Sequence, residues 1–423
     1  MRRLEIANSS SRSLYEVGSI TGTKLNMSTP PSPSQSFAFT RKQSASNKTP
    51  RQINRNLVFN LIRTRQPISR ADLARISGLQ RSTISLIVED LIRDKWILEG
   101  STGRLPRGRR PTFLELNHQR AVIALDIHPA QTTVAVTDLG GRIVAQNIVV
   151  LPADANKAIV PIIAAIKKLM AAHADKSFDG IGISLPGRTD PLQQKPIFAP
   201  NLNWPVLSIK SRIQRATNLP VEMDNVANAC ALSEVWFGES DGLHDLVVVN
   251  VSEGLGTGIF ANGMLLRGAN GMAGEFGHVE MEANGPLCGC GNRGCWETLA
   301  SNRAGLRYYE EISGRSAPSS FAALVKMAQS GDDAAAIKAL EKMGHFLGRG
   351  LRMIVSALAP SEIIVVGDIT SAWYMFGPKV EAELKQNSLS KAPKLKPASR
   401  NAANASRRND GVTTEDIIFI PFR

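Results

Sequence analysis

The chain has 423 residues, of which 43% are hydrophobic and 21% are charged. This composition is ordinary for a globular protein, and the length allows two or three domains that each bury a core. The longest apolar runs, such as Ile162 to Ile166, are far too short to span a bilayer, and the first 25 residues are polar without a secretory signal. These features argue against a membrane protein and predict a cytoplasmic location.

Positive charge is concentrated towards the start of the chain. Residues 1–115 contain 20 Lys and Arg against 8 Asp and Glu, whereas residues 116–384 contain 22 against 26. A basic head on a mildly acidic body predicts that the head alone meets a polyanion. A solvated basic surface without a partner is the alternative until a motif is found.

Residues 1–50 are rich in Ser, Thr, Pro and Asn and lack apolar periodicity, which predicts a disordered arm. Residues 51–116 follow a different pattern. Apolar residues at helical spacing predict a first helix, the capping pattern from Ser69 to Asp72 begins a second, and Gly78 marks the turn before a third helix that starts near Gln80. Two strands around an Arg-rich loop complete the unit, which is typical of a winged helix-turn-helix domain.

The third helix and the loop of this head carry polar and basic side chains that suit DNA. The start of the helix would face a major groove, and the loop would act as a wing that reaches phosphates or a minor groove. The predicted DNA-contacting residues are Gln80, Arg81, Ser82, Thr83, Ser85, Arg104, Arg107, Arg109 and Arg110. A three-helix module that binds another protein is the alternative.

The remainder of the chain has the alternating strands and helices of an α/β protein. Two similar halves, the second with a long helix near 333–358, predict a sensor domain with two lobes around a cleft. The predicted boundaries are 117–384 for this domain, about 117–240 and 241–384 for its lobes, and 385–423 for a basic tail that we expect to be irregular.

Three of the four cysteines lie within eight residues, which favours a metal site over disulfides. With a nearby histidine they form the pattern H-x9-C-x-C-x4-C, at His278, Cys288, Cys290 and Cys295. Four such ligands with glycines between them suit a closed, tetrahedral, structural Zn²⁺ site. Cys230 lies in an Ala-rich helical stretch, and we expect it to be a core residue.

The run Gly274–His278, followed by Cys288–Glu297, resembles the ROK family (repressors, open reading frames and sugar kinases). With the head, the likeness is to the repressor branch. The resemblance implies an actin-like sugar-kinase (RNase H-like) two-lobe fold with an N-terminal winged helix-turn-helix domain. It also implies that His278 serves both zinc and sugar. The sugar-binding residues it implies are Asn201, Asn225, Glu275, His278 and Glu297.

The sequence departs from the kinase members of that family at the reacting groups. Their phosphate loop is glycine-rich, whereas this chain has His128 and Pro129 there, and proline lacks an amide donor. Their general base is an aspartate, whereas this chain has Val226, which cannot accept a proton. On a continuous strand, Asp224 would share the face of Val226 at about 6–7 Å. A third and milder departure is Val366-Gly367, where the family has Gly-Gly near the adenosine. The glycine-rich run Gly254–Gly258 fits either a phosphate cradle or a lobe-shaping turn.

These features predict a sugar-responsive DNA-binding transcriptional regulator, a repressor, without enzyme activity. The predicted partners are a double-stranded DNA operator, a small sugar or sugar derivative and further copies of the chain in a homodimer or higher homo-oligomer. A bifunctional ATP-dependent sugar kinase with a DNA-binding head is one alternative. A DNA-binding protein whose sensor only dimerises is another, and the retained Asn225, Glu275, His278 and Glu297 argue against it.

Overall fold

The structure is a computed structural model. It describes residues 48–102, 111–129, 131–152, 154–190, 195–198, 209–238, 245–386 and 392–398. Most of the predicted N-terminal arm and most of the tail therefore lie outside the described residues. None of the helices in the described part of the chain combines the length and the apolar character that crossing a membrane requires.

The N-terminal unit contains three helices and a three-stranded antiparallel sheet. The elements are α1 (Lys48–Arg65), β1 (Ile68–Ser69), α2 (Arg70–Ser77), α3 (Arg81–Arg93), β2 (Ile97–Thr102) and β3 (Thr112–Leu116), with sheet order β1-β3-β2. The predicted capping pattern is present, because Ser69 Oγ accepts from the Asp72 amide and donates to its carboxylate. Gly78 adopts a left-handed conformation that ends α2 and turns the chain towards α3. Three helices followed by the β2–β3 pair are the elements that the sequence predicts for this region.

The first lobe is a five-stranded mixed sheet with helices packed against it. Its elements are β4 (Arg120–Ile127), β5 (Gln131–Asp138), β6 (Ile143–Val150), α4 (Ala155–Ala172), β7 (Ser177–Leu185), β8 (Arg188–Asp190), β9 (Lys195–Phe198), α5 (Ile209–Thr217), β10 (Val221–Asn225) and α6 (Val226–Phe237), with sheet order β10-β7-β4-β5-β6. Strands β4, β5 and β6 are antiparallel to one another, and α4 packs against β5 and β6.

The second lobe repeats the five-stranded arrangement. Its elements are β11 (Leu246–Val251), β12 (Leu255–Ala261), β13 (Met264–Leu265), α7 (Trp296–Ala300), α8 (Asn302–Ser313), α9 (Phe321–Ser330), α10 (Ala334–Leu358), β14 (Glu362–Val366), α11 (Trp373–Lys385) and β15 (Lys394–Pro397), with sheet order β13-β12-β11-β14-β15. Short 3-10 turns at Ala269–Gly271 and Glu275–His278 follow β13. The largest core of the described chain lies in this lobe, around the fully buried Trp296 and the long helix α10.

The prediction of an irregular tail is wrong for residues 394–397. They form β15, which extends the sheet by pairing in parallel with β14. Two interactions stabilise the strand: Leu395 packs against the core, and Lys394 and Lys396 form ion pairs with the buried Glu362 carboxylate at 3.7 and 2.9 Å. These partners are distant in sequence, so tail composition alone could not indicate them.

The glycine-rich run Gly254–Gly258 is mostly strand, and its glycines allow close helix packing. A Cβ on Gly258 would lie 2.1 Å from the carbonyl oxygen of Ala227 in α6, and one on Gly256 would lie 3.1 Å from the Ala227 Cβ. Helix α6 therefore packs directly on β12, so the first lobe's last helix lies against the second lobe's sheet. A side chain at Gly258 would force this contact apart.

Candidate functional sites

The start of α3 presents the polar surface that the sequence predicts for DNA. Gln80, Arg81 and Ser82 are exposed, Thr83 and Ser85 are half-buried, and Ile84, Val88 and Leu91 on the opposite face are buried in the core of the head. The four predicted wing residues, Arg104, Arg107, Arg109 and Arg110, lie outside the described residues. They belong to the segment that joins β2 to β3, whose ends pair at Thr102 and Thr112.

The head is attached to the first lobe by two arginines. Arg120 packs over the Trp96 ring at 4.1 Å and forms a two-pronged ion pair with Asp179. Arg63 of α1 is buried, donates to the Trp236 carbonyl oxygen at the end of α6, and lies 4.7 Å over the ring of the next residue, Phe237. Burial lowers the pKa of Arg63 to about 10. The contact therefore places a buried cation between the head and α6.

A cleft bounded by residues of both lobes brings together four of the five predicted sugar-binding residues. Asn225, Glu275, His278 and Glu297 all line it, whereas Asn201 lies outside the described residues. Three local elements present the four side chains, since Asn225 ends β10, Glu275 and His278 share one 3-10 turn, and Glu297 lies in the first turn of α7. This convergence of amide, carboxylates and imidazole offers donors and acceptors for a polyhydroxyl ligand.

Several of these side chains also hold the cleft in shape. The Asn225 amide oxygen accepts from the Ala227 amide and so caps α6, while its nitrogen donates to the Gly187 carbonyl oxygen. Glu297 Oε2 accepts from the Leu255 amide at 3.1 Å. Burial raises the pKa of Glu275, partly offset by His278, whose Nε2 lies 3.6 Å from its carboxylate. Contacts within the protein therefore hold Asn225 and Glu297 in position at the cleft.

A cluster of ionisable groups surrounds His128, in the turn between β4 and β5. His128 Nε2 lies 2.8 Å from the Asp126 carboxylate, and His128 Nδ1 lies 3.8 Å from Glu253, which follows β11 in the second lobe. Ser184 donates to the other Asp126 oxygen at 2.7 Å. Burial alone would lower the pKa of His128, but hydrogen bonds to the two carboxylates outweigh it and raise this pKa to about 11. A charged imidazole therefore links the two lobes.

The resemblance places the general base of the kinases at Val226, and Asp224 is two residues before it. Strand β10 ends at Asn225 and Val226 begins α6, so Asp224 does not share the face of Val226 as it would on a continuous strand. The Asp224 carboxylate is buried, pairs with Arg267 at 2.6 Å and accepts from the Asn228 amide at 2.8 Å. An aspartate held in this way is poorly placed to act as a base.

The four predicted metal ligands converge at one point. The donor atoms of His278, Cys288, Cys290 and Cys295 all lie within 4.8 Å of one another, so the cluster could hold a metal ion. His278 Nδ1 lies 3.5 Å from Cys288 Sγ, and the two sulfur atoms of Cys290 and Cys295 are 3.7 Å apart. Burial raises the pKa of Cys288, and it raises that of Cys295 to about 11. Both are therefore neutral thiols at pH 7 unless a metal displaces their protons.

Sequence reasoning missed three contacts: His128 with Glu253, Arg63 with α6, and Asp224 with Arg267. His128 stood out as a departure from the glycine-rich loop, but its partner is 125 positions away. The sequence did not indicate that Arg63 is buried against α6, because an arginine near the end of a helix is commonly exposed.

The ion cluster at His128 generates a pH prediction. Because the folded-state pKa of His128 is raised from 6.5 to about 11, its stabilisation is full below about pH 6.5 and declines until it is lost near pH 11. His128→Gln should therefore lower the free energy of unfolding most at about pH 6 and progressively less towards about pH 10. Urea denaturation of wild type and variant measures this difference, with the exposed His118→Gln as control. A constant difference across the range would contradict a charged His128.

The comparisons with known proteins agree with this architecture. The model of the ROK family matches residues 122–412. The xylose repressor of Bacillus subtilis (strain 168) is 32% identical over 338 residues, covering 79% of this chain and 87% of the repressor. The N-acetylglucosamine repressor of Escherichia coli O157:H7 is 28% identical over 352 residues, covering 80% of this chain and 86% of the repressor.

Two solved structures are similar over different shares of the chain. A ROK family transcriptional regulator, a homologue of the E. coli MLC protein, superimposes with a TM-score of 0.69 and 27% identity, covering 84% of this chain and 93% of its own. A ROK family glucokinase from Streptomyces griseus, solved with glucose and AMPPNP, has a TM-score of 0.60 and 28% identity, covering 66% of this chain and 94% of its own. The two-lobe fold is therefore the actin-like fold of sugar kinases, and the chain belongs to the ROK family.

Proposed function

We propose that the protein is a sugar-responsive, DNA-binding transcriptional repressor that does not phosphorylate its ligand. One observation carries the proposal: Asn225, Glu275, His278 and Glu297 converge on one cleft, while the first turn of α3 in the head is exposed and polar. The repressor names of the curated relatives support it. The solved transcriptional regulator matches 84% of this chain and the glucokinase 66%. This difference also supports the proposal, because it is expected if the glucokinase lacks the head.

DNA binding is assigned to the first turn of α3 and to the wing. Arg81 and Gln80 have the donors and acceptors for base edges, and Ser82, Thr83 and Ser85 suit phosphates or bases. The arginines of the wing, Arg104, Arg107, Arg109 and Arg110, would reach phosphates or a minor groove. Two heads in a homodimer would contact two half-sites of a double-stranded operator.

Sugar binding is assigned to Asn225, Glu275, His278 and Glu297, together with Asn201. Phosphoryl transfer is opposed by two features of the same cleft. Val226 offers no proton acceptor, and the only carboxylate near it in sequence, Asp224, is paired with Arg267. At the phosphate loop, Pro129 lacks an amide, and Asp126 and Glu253 add negative charge where a nucleotide's phosphates would lie.

Zinc is the metal that we assign to the cysteine cluster. In a tetrahedral site with Zn–S near 2.3 Å and Zn–N near 2.1 Å, two sulfur ligands lie about 3.8 Å apart and a sulfur and a nitrogen about 3.6 Å apart. The distances of 3.7 and 3.5 Å here fit that geometry. Four protein ligands fill the coordination shell, so the ion is structural. His278 uses Nδ1 towards the cysteines, while its Nε2 lies towards Glu275, which leaves the second nitrogen for the sugar site.

Helix α6 is the element that we assign to signal transfer. Its first turn lines the cleft through Asn225, Val226 and Asn228, and its last turn holds Arg63 of the head. The helix has twelve residues, so the two ends are about 18 Å apart. A ligand that shifts α6 relative to β12 would also shift the contact between the end of α6 and Arg63 of α1. Coupling between two sites requires a contact of this kind that differs between the two states.

A DNA-binding assay tests the proposed function. Arg81→Ala should weaken binding to a duplex selected from a random pool by the full-length protein, by about tenfold or more, and should flatten the salt dependence of binding. Arg142→Ala, an exposed arginine on the first lobe, is the control. A sugar that raises the melting temperature should also change the affinity for this duplex. Equal DNA affinities of wild type and Arg81→Ala, or ADP released from Mg-ATP only when sugar is present, would contradict the proposal.

The zinc assignment has its own test. Cys290→Ser should lower bound zinc, measured by elemental analysis, from about one ion per chain and should also lower the melting temperature, because a structural ion contributes folding free energy. Cys230→Ala is the control, since Cys230 is buried in α6 and belongs to another cluster of side chains. Unchanged zinc content in Cys290→Ser would refute the assignment.

Arg63→Met should uncouple the two sites. Sugar affinity should stay the same, while the sugar-induced change in DNA affinity, typically about 5- to 150-fold in coupled systems, should shrink towards none. Arg65→Met, an exposed neighbour in the same helix, should retain the change. Phe237→Leu keeps the hydrogen bond to the carbonyl but removes the ring, so it should give a partial loss. Full coupling in Arg63→Met would show that α6 does not act through this contact.

A further inference from the structure

Arg188 is a charged residue of the cleft to which the proposed function assigns no role. It begins β8, directly after Gly187, whose carbonyl oxygen accepts from Asn225. Its side chain crosses from the first lobe towards the 3-10 turns of the second, where a terminal nitrogen contacts the sulfur of Met272. Arg188 lines the same cleft as Glu275 and His278. A ligand held by those two residues therefore lies beside this guanidinium.

The hydrogen-bonding capacity of Arg188 is largely unused. Its Nε is buried without a hydrogen-bond partner, and the sulfur of a thioether is only a weak acceptor. Among the described residues, Arg188 forms no ion pair: no carboxylate oxygen lies within 4.0 Å of its guanidinium. A partly buried guanidinium whose donors are unmatched costs free energy that an anionic partner would recover.

The other charged groups of the cleft wall are already matched. His128 lies between Asp126 and Glu253, Glu297 accepts from a backbone amide, and Glu275 lies beside His278. The positive charge of Arg188 partly offsets the raised pKa of Glu275, but among the described residues Arg188 has no carboxylate as a hydrogen-bonded partner. The same carboxylates would repel an anion elsewhere in the cleft, so an anionic group on a ligand would have to lie at Arg188.

We propose that the effector is a monosaccharide that carries an anionic group, a carboxylate or a phosphate, and that Arg188 is the residue that selects it. A planar guanidinium binds either group through two parallel hydrogen bonds, which gives directional as well as electrostatic selection. The inference rests on the proposed function, because it requires that the cleft bind a sugar. Asn225, Glu275, His278 and Glu297 bind the hydroxyl groups, and Arg188 distinguishes an acidic sugar from its neutral parent.

Calorimetric titration of the full-length protein with matched sugars tests this inference. The series are glucose, glucuronate and glucose 6-phosphate; galactose and galacturonate; and N-acetylglucosamine with its 6-phosphate. At least one acidic member should bind about tenfold or more tightly than its neutral parent, since hydrogen bonds to charged groups contribute at that scale. Whether the uronate or the phosphate binds identifies the source of the anionic group.

Variants at Arg188 separate selection from binding. Arg188→Gln should abolish the preference for the acidic sugar while it leaves the affinity for the neutral parent within about twofold. Arg188→Lys, which keeps the charge but not the two-pronged geometry, should retain part of the preference. Arg142→Gln, on the first lobe away from the cleft lining, should retain all of it.

The outcomes distinguish this inference from the proposed function. Neutral sugars that bind as tightly as their acidic counterparts in the wild type, or an acid preference that survives in Arg188→Gln, would overturn the role of Arg188 and leave a sugar-responsive regulator intact. An absence of binding by every sugar, neutral and acidic, would overturn the proposed function and this inference together.

Discussion

The close approach of α6 to β12 is the contact on which the rest of the arrangement depends. With a hydrogen as its side chain, Gly258 lets the α6 backbone come so near that a Cβ would lie 2.1 Å from the Ala227 carbonyl oxygen. This helix therefore contacts the sheet of the second lobe while it continues directly from the last strand of the first. The cleft lies at its N-terminal end and the head at its C-terminal end. A packed interface of this kind favours discrete arrangements over gradual deformation, which suits a switch.

The sequence predicted what local patterns determine. The long helix predicted near 333–358 is α10 (Ala334–Leu358), and the spacing of His278 with three cysteines predicted the metal cluster. What it could not supply are pairings between distant segments. The tail residue Leu395 packs in the core of the second lobe only because β14 leaves an open edge, and Glu253 approaches His128 only because the two lobes face each other. The local sequence around these residues does not indicate either contact.

Under the proposed function, the cleft keeps the recognition surface of a kinase fold without its reaction. Asn225, Glu275 and Glu297 lie at turns and helix ends, where they would recognise the sugar without a nucleotide. Phosphoryl transfer depends on amides for phosphate and on a proton acceptor, and the resemblance places His128-Pro129 and Val226 at those positions. His128 lies between Asp126 and Glu253 and so connects the two lobes. In a regulator of this kind, the fold would serve a population shift between conformations in place of a chemical step.

Strand β15 covers an edge of the second lobe's sheet. Strand β14 reads EIIVV, a β-branched run of the kind that pairs with another chain when its edge is open. Strand β15 pairs with it in parallel and carries Lys394 and Lys396 at alternate positions. Lysines on an edge strand discourage further strand addition. The segment that composition marked as irregular therefore has the features by which proteins protect a sheet edge from pairing between chains.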